Sequence, residues 1–558
     1  MPIDRRAPRR PLTDRAAHLL ATTPLGGRLS SFVAELRTRR VPLHWTNMFG
    51  VVSMACVAVI FVTGVFLTLL YEPSSAPVIY NGRYAPLDGV TMSEAMRSTM
   101  NISFEVQGGM LIRQAHHWAA LLLPASLILQ LLVTYFTGGF RRPRRLGWVL
   151  LFLTLIVALV GGWSGYALPD DVLAGTGLRI VEGIVLGIPV VGTSLASILF
   201  GGEFPGSIIE NLYPIHVALV PGALILLLAA RIRVGWSRKP AQFAGPGRTE
   251  RNVVGLTLWP AAATRAFGLF AIVSGLLVLI SATVTIGPSW LYGPSSPGDA
   301  SAGSQPDWYT GFLDGALRLV PPGWEVEWLG HTWTLAILIP LVVVSLFLLA
   351  VVAYPFIEEW TTGDSRDHNL LDRPRNTPGR TGFGVAGIVF FGALWGAGSA
   401  DIAATHFRLG IESVVHTFQV LLLVGPIIAF VLTRRICLAL QNKDRELLLH
   451  GFETGRIVRL PGGEYTEIHQ AVDTYERWSL QSANDQNPYQ ARPDERGRLR
   501  PVNVLRARIS RFFFADTLAP IPPGELGQPT TGVVPAGSAH VEDAQRVEVE
   551  DAQRVEVA

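Results

Sequence analysis

Eight stretches of this 558-residue chain are apolar over roughly 20 residues, the length a helix needs to cross the hydrocarbon core of a bilayer. They lie near 48–71, 111–136, 147–168, 212–234, 264–286, 332–354, 382–400 and 415–437. Inside lipid each backbone polar group must be satisfied within the protein, so long apolar runs of this kind specify helices. Composition agrees. Of the residues 49% are apolar and 16% charged, against about 25% charged in soluble domains. The expected fold is an all-α integral membrane protein with eight transmembrane helices.

The arginines set the expected topology. Arg141, Arg142, Arg144 and Arg145 follow the second run, and Arg231, Arg233, Arg238 and Lys239 close the fourth. Arg366, Arg373, Arg375 and Arg380 separate the sixth from the seventh, and Arg434 and Arg435 end the eighth. All fall on one side if both termini are cytoplasmic, whereas loops 72–110, 169–211 and 287–331 are poorer in arginine. A cell-membrane, multi-pass location follows. Residues 1–41 read as a basic cytoplasmic leader without a cleavable signal pattern. Segment 172–200 is apolar and glycine-spaced, suited to short helices along the membrane surface. Residues 441–558 form a polar extension, ordered in part over 445–480, that ends with VEDAQRVE at 541–548 and again at 549–556. Cys56 and Cys437 each stand alone in apolar surroundings and read as packing thiols. The bilayer is the expected environment; no nucleic acid is expected as a partner.

Polar side chains within such runs are costly and usually have a task. His116 and His117 lie in the second run and His216 in the fourth, at similar depth near the outer face. Two neutral imidazoles from facing helices can hold a haem iron from both sides; equally, histidines can simply hydrogen-bond within a bundle. Arg113 lies one turn before His116 on the same face, placed to pair with an anionic group. Gly50 and Gly64 are fourteen residues apart in the first run. They share a helix face about 21 Å apart, where a flat ligand could approach the backbone. Gly165 sits at the depth of His116 in the third run.

PLHWTNMFG (42–50), RQAHHW (113–118), GYALPDD (165–171), FAGPGRTERNVVG (243–255) and GSQPDWY (303–309) occur in this order. Together they resemble the cytochrome b subunit of the actinobacterial quinol–cytochrome c reductase, the cytochrome bc1 complex, over residues 42–470. The resemblance implies a haem-binding four-helix bundle over 42–260. It implies a C-terminal transmembrane region with a quinol-site loop over 261–440. In that family two b haems stack across the bundle, each held by one histidine of the second helix and one of the fourth. Carried over, His116 and His216 would hold the outer haem, and Arg113 would face a propionate. His117, turned by about 100°, would face protein or headgroups.

The inner position departs from the family pattern. Its ligand sites fall on Gln130 and Arg231, and its third-helix glycine on Leu151. An arginine stays protonated and has no lone pair for iron. One outer haem b is therefore expected, with Gln130 and Arg231 hydrogen-bonding to one another or to lipid. Pro306-Asp307-Trp308-Tyr309 by itself reads as a Pro-Asp turn with interfacial aromatics. The resemblance implies more: a pocket in which Asp307 accepts a quinol proton and Tyr309 bonds a quinol oxygen, flanked by Pro306 and Trp308. It also implies menaquinol as substrate and both a Rieske-type iron–sulfur subunit and a cytochrome c subunit as partners. A terminal oxidase and a dimeric assembly complete what the resemblance suggests. Two rivals stand beside this reading. One is a divergent single-haem paralogue with an impaired quinone cycle; the other is a non-catalytic quinone-binding or assembly subunit.

Overall fold

The structure, a computed structural model, describes residues 24–202, 204–296, 298, 305–480, 487–493, 497–518 and 521. The leader up to residue 23, the repeated octapeptide at 541–556, and Gly303 and Ser304 of the GSQPDWY motif lie outside them. Among the described residues, eight helices are long and apolar enough to span a bilayer: Trp45–Thr68, Gly109–Phe136, Arg145–Ala167, Ile208–Trp236, Leu258–Thr283, Leu335–Thr362, Pro378–Gly398 and Ile411–His450. They are called the first to eighth spans below. Each coincides with one of the apolar runs, including the glycine-rich seventh. The chain is an all-α membrane protein.

Contacts divide the chain into two compact units. The larger takes the described residues up to Gln242 with Thr249–Leu371 and Phe383–Phe430; the smaller takes Phe243–Arg248, Asp372–Gly382 and the described residues from Val431 on. In the larger unit the first span packs along the second, the second against the third, and the third against the fourth, with the fifth resting on the first two. A core of Leu123, Leu127, Leu131, Trp148, Leu151 and Phe152 fills one half of this bundle. Cys56 belongs to the same core, and both cysteines are buried and unbridged.

Helix irregularities fall where the residues require them. Proline cannot donate a backbone hydrogen bond, and Pro214 ends the regular part of the fourth span's first turns. A single π-turn, Ile215–Leu219, follows and carries His216. Such bulges recur at functional sites.

Segment 172–200 folds as two helices, Val172–Leu186 and Gly192–Phe200. Asp171 caps the first by accepting a 2.8 Å bond from Ala174 N. Between the fifth and sixth spans lie a helix, Gly311–Arg318, and a hairpin, Glu325–Trp328 with His331–Thr334. The Gly311–Arg318 helix meets the seventh span at backbone distance. A Cβ on Gly315 would sit 1.7 Å from the Leu394 carbonyl oxygen, and one on Gly398 2.3 Å from that of Gly311. Only glycine fits either position. In the smaller unit, the hairpin Phe452–Arg459 with Tyr465–Gln470 and the helix Thr474–Leu480 account for the order expected over 445–480. A further helix, Pro501–Phe513, lies beyond it.

Candidate functional site

A cavity of about 390 Å³ opens among the first four spans. Every one of the four contributes to it: Gly64 from the first, Arg113, His116 and His117 from the second, Gly161 and Gly165 from the third, His216 from the fourth. The rings of His116 and His216 meet edge to face, with centroids 6.1 Å apart and planes inclined by 66°. Two metal–nitrogen bonds of about 2 Å each, plus half an imidazole on either side, need about 6 Å.

Hydrogen bonds define which nitrogen each ring can offer. The Thr63 hydroxyl donates to the Val59 carbonyl at 2.6 Å, so its oxygen is left to accept from His116 Nδ1 at 2.9 Å. The Ser164 hydroxyl donates to the Gly161 carbonyl at 3.1 Å and stands 3.1 Å from His216 Nδ1. With Nδ1 of each imidazole engaged by a hydroxyl, Nε2 is the nitrogen left to a metal, as in histidines whose other ring nitrogen is held by a hydrogen-bond partner.

Glycine makes the room. A Cβ on Gly64 would lie 3.2 Å from His116 Cε1, and one on Gly165 only 2.4 Å from His216 Cε1. Arg113 lines the same cavity. It donates to the Gly287 carbonyl at 2.8 Å and stands 5.7 Å over the Trp290 ring, while its buried Nε has no hydrogen-bond partner. An orphaned guanidinium N–H, glycine-lined walls and two lone-pair nitrogens fit a haem with an anionic propionate. His116 and His216 would hold the iron and Arg113 the propionate.

At the opposite end of the second span the residues do not fit such a group. Arg231 donates to Gln130 Oε1 at 3.0 Å. Gln130 Nε2 in turn donates to Ser53 Oγ at 2.6 Å and to the Phe49 carbonyl at 3.2 Å, and Ser53 Oγ bonds Ser126 Oγ at 2.7 Å. A Cβ on Gly50 would lie 4.0 Å from Gln130 Oε1, so Gly50 adjoins this network; it does not line the cavity of the paired histidines. Leu151 is buried in the apolar core. The second and fourth spans hold no histidine besides 116, 117 and 216.

Asp307 enters the cavity from the loop before the Gly311–Arg318 helix. The Tyr309 hydroxyl donates to its Oδ2 at 2.9 Å. His117 Nε2 lies 3.2 and 3.3 Å from its two oxygens. The partner of His117 is therefore Asp307, the acidic residue of the loop before the Gly311–Arg318 helix. Tyr309 is 2% exposed. Burial first, and the adjacent Asp307 second, push its hydroxyl well above the ordinary tyrosine value, so it remains a donor. Its ring reaches Gly162, where a Cβ would lie 2.3 Å from the phenolic oxygen. Gly161, Gly162 and Gly165 thus seat Val220, Tyr309 and His216 in turn. The sequence reading singled out only Gly165; the GGWSG string was the available signal for the other two.

Neither Pro306 nor Trp308 is among the residues lining the cavity, and Trp308 helps fix the loop. Trp308 Nε1 donates to the Leu121 carbonyl at 3.2 Å, and Trp395 Nε1 to the Trp308 carbonyl at 2.7 Å. Gln305, beside Pro306, donates to Asp401 at 3.0 Å, and Asp401 pairs with Arg318 at 2.9 Å. Asp171, which lines the cavity, is buried, and burial raises its carboxyl; the bond from Ala174 N and the charge of Arg113 oppose the rise.

Fold and site together define an eight-span helical membrane protein with a histidine pair inside its first four spans. The family model for cytochrome b(N-terminal)/b6/petB matches residues 121–294. The chain is 44% identical over 498 residues to the cytochrome bc1 complex cytochrome b subunit of Streptomyces coelicolor, covering 88% of this chain and 91% of that one. To the corresponding subunit of Mycobacterium tuberculosis it is 44% identical over 433 residues, 77% of this chain and 78% of the relative. A solved hyperthermophilic respiratory Complex III shares the fold with a TM-score of 0.56, at 16% identity, over 75% of this chain and 99% of that one. The chain belongs to the family of cytochrome b subunits of the cytochrome bc1 complex, membrane proteins of respiratory electron transport.

Proposed function

We propose that this subunit oxidises quinol, menaquinol by its likeness to actinobacterial relatives, at the cavity beside Asp307, and that it carries a single b haem between His116 and His216. The observation that carries the reading is the histidine pair itself: rings at 6.1 Å, each with Nδ1 engaged by a hydroxyl. A haem bound there supplies a one-electron acceptor within the cavity.

The remaining chemistry belongs to the chain's own side chains. Asp307, already accepting from Tyr309 and His117, is placed to take a quinol hydroxyl proton. Tyr309 orients that carboxylate and offers its oxygen to the substrate. Arg113 supplies positive charge at the same cavity, and Trp308 holds the loop against the second span. A Rieske-type iron–sulfur subunit and a cytochrome c subunit take part in this reading as partners, with a terminal oxidase and dimeric assembly beyond them. The membrane is the cell membrane, with both termini cytoplasmic by the arginine asymmetry. The boundaries at 42, 261 and 441 mark the leader, the haem bundle, the quinol-loop region and the extension.

The Gln130–Arg231–Ser53 network supports the single-haem form of the reading. With no second cofactor at that depth, electrons lack a relay across about 20 Å of the membrane, which limits the quinone cycle and its proton translocation. Pyridine haemochrome analysis of the purified subunit is expected to give one b haem per chain. Two would overturn the single-haem reading, and none would favour the assembly subunit. Asp307→Asn preserves shape while removing the proton acceptor. Quinol oxidation is expected to fall by about 10²–10⁴-fold with haem content unchanged; an unaltered rate would remove Asp307 from the mechanism.

A further inference from the structure

The Pro501–Phe513 helix does not belong to the haem cavity or the quinol loop, and it has a pattern of its own. Residues 497–515 contain five arginines (498, 500, 506, 508 and 511) and no acidic residue. Val502, Leu505, Ile509 and Phe512 recur at spacings of three and four, so they form one stripe. Much of that stripe is exposed: Val502 is 61% exposed, Leu505 54%, Ile509 37% and Phe512 50%, the Phe512 ring also carrying the Arg434 guanidinium 4.7 Å from its centroid. Arg508 borders it on one side; Arg506, on the other, stacks over the Tyr489 ring at 3.9 Å. The face of the helix adjoining the stripe is occupied. Ser510 is fully buried and accepts a 2.8 Å bond from Tyr489 N, and Phe513 is 8% exposed.

Its position is fixed by two span ends within the smaller unit. Arg434, where the apolar part of the eighth span stops, donates to the Phe512 carbonyl at 3.3 Å and pairs with Asp516 at 2.7 Å. Gln441, two turns on, exchanges bonds with the Asp516 carbonyl and with Leu518 N, at 3.3 and 3.1 Å. Gly379, at the start of the seventh span, approaches so closely that a Cβ would lie 2.7 Å from the Phe513 carbonyl oxygen. The helix is therefore tied to the points at which one span leaves the apolar layer and another enters it. A helix with an apolar stripe and flanking arginines, held at that level, matches an anionic headgroup layer in charge and the first acyl carbons in polarity.

We infer that the Pro501–Phe513 helix is a docking surface for anionic lipid, with Val502, Leu505, Ile509 and Phe512 entering the leaflet and Arg508 and Arg511 meeting headgroup phosphates. It makes the C-terminal extension a peripheral membrane anchor, and the inference does not depend on the haem or quinol reading.

The test uses the full-length subunit in its purified complex, placed in lipid nanodiscs. Leu505→Cys and Val504→Cys are each labelled with a bimane fluorophore; native Cys56 and Cys437 are buried, and the unsubstituted chain controls for them. In discs containing phosphatidylglycerol, the label at 505 is expected to be quenched several-fold more by brominated acyl chains than by aqueous iodide, and the label at 504 the reverse. Replacing phosphatidylglycerol with phosphatidylcholine, or introducing Arg508→Glu with Arg511→Glu, is expected to abolish the acyl quenching at 505 while haem content stays constant. Equal iodide quenching at 505 and 504 in both lipids would overturn the inference. So would a label at 505 shielded from iodide and bromolipid alike, which would assign the stripe to a protein partner.

Discussion

At the scale of single residues the cavity among the first four spans is a set of spaces kept open by missing side chains. Gly165 and Gly64 do the same task under different tolerances. A methyl at 165 would fall 2.4 Å from His216 Cε1, below any real contact, so the imidazole must move. A methyl at 64 would fall 3.2 Å from His116 Cε1, which a shift of a few tenths of an ångström relieves. Gly222, in the fourth span, has nothing within 4 Å of the same position. Gly165→Ala is accordingly expected to carry about 1–3 kcal/mol of overpacking directed at a ligand, and to lose most of its haem. Gly64→Ala should retain the haem with a perturbed spectrum, and Gly222→Ala should resemble the parent. Haem absorbance per chain, with the amount of folded protein measured in parallel, orders the three. Equal haem in Gly165→Ala and Gly222→Ala would contradict the cradle. His117 shows where residue-level reasoning from sequence stops. The helical period points it in a different direction from His116, yet it lines the same cavity, and its partner, Asp307, lies 190 residues on in the chain; no local pattern encodes that meeting.

At the scale of elements, what could be read in advance follows from what fixes each element. The spans depend on length and hydropathy, which are local, so all eight were legible. The Pro501–Phe513 helix was not: it is short, carries many arginines, and is stabilised by contacts to Arg434 and Gln441 rather than by an apolar run. The turn joining the third span to the Val172–Leu186 helix is also set by tertiary surroundings, and it carries a titratable signature. Asp170 sits there at φ 52°, 9% exposed. Burial raises its carboxyl to about 6, with the charges of Asp171 and Glu210 adding to the rise and a Ser93 hydrogen bond opposing it. A carboxyl raised on folding from 3.8 to about 6 binds its proton more tightly in the folded chain. It therefore favours folding at low pH and loses that advantage as pH rises between those two values. At about 1.4 kcal/mol per pKa unit, the ionised carboxylate costs about 3 kcal/mol above pH 6. Asp170→Asn, which keeps a residue tolerant of positive φ, should unfold at a higher temperature than the parent near neutral pH. The two should converge toward pH 4. Parallel melting curves across that range would refute the assignment.

At the scale of the whole molecule, the two ends of the second span present different chemistry. His116 meets His216 at one end; at the other, fourteen residues on, Gln130 meets Arg231. The substitutions are mutually consistent: a guanidinium needs an acceptor, which the Gln130 carbonyl supplies, and Gln130 needs its own acceptors, which Ser53 and Phe49 supply. Leu151 fills space in the adjoining core. If this network is what excludes a second haem, reversing it should be possible only as a set. Gln130→His with Arg231→His supplies two imidazoles but leaves Leu151 in place, so the pair alone is expected to remain at one haem per chain. Adding Leu151→Gly opens the third span as Gly165 does at the other end, and the triple variant is expected to approach two. Pyridine haemochrome stoichiometry, with the redox titration resolving one or two midpoints, distinguishes the cases. A triple variant that folds, retains the His116–His216 haem and still binds only one would show that residues beyond these three close the second position. A parent chain already holding two would show that Gln130 and Arg231 do not close it at all.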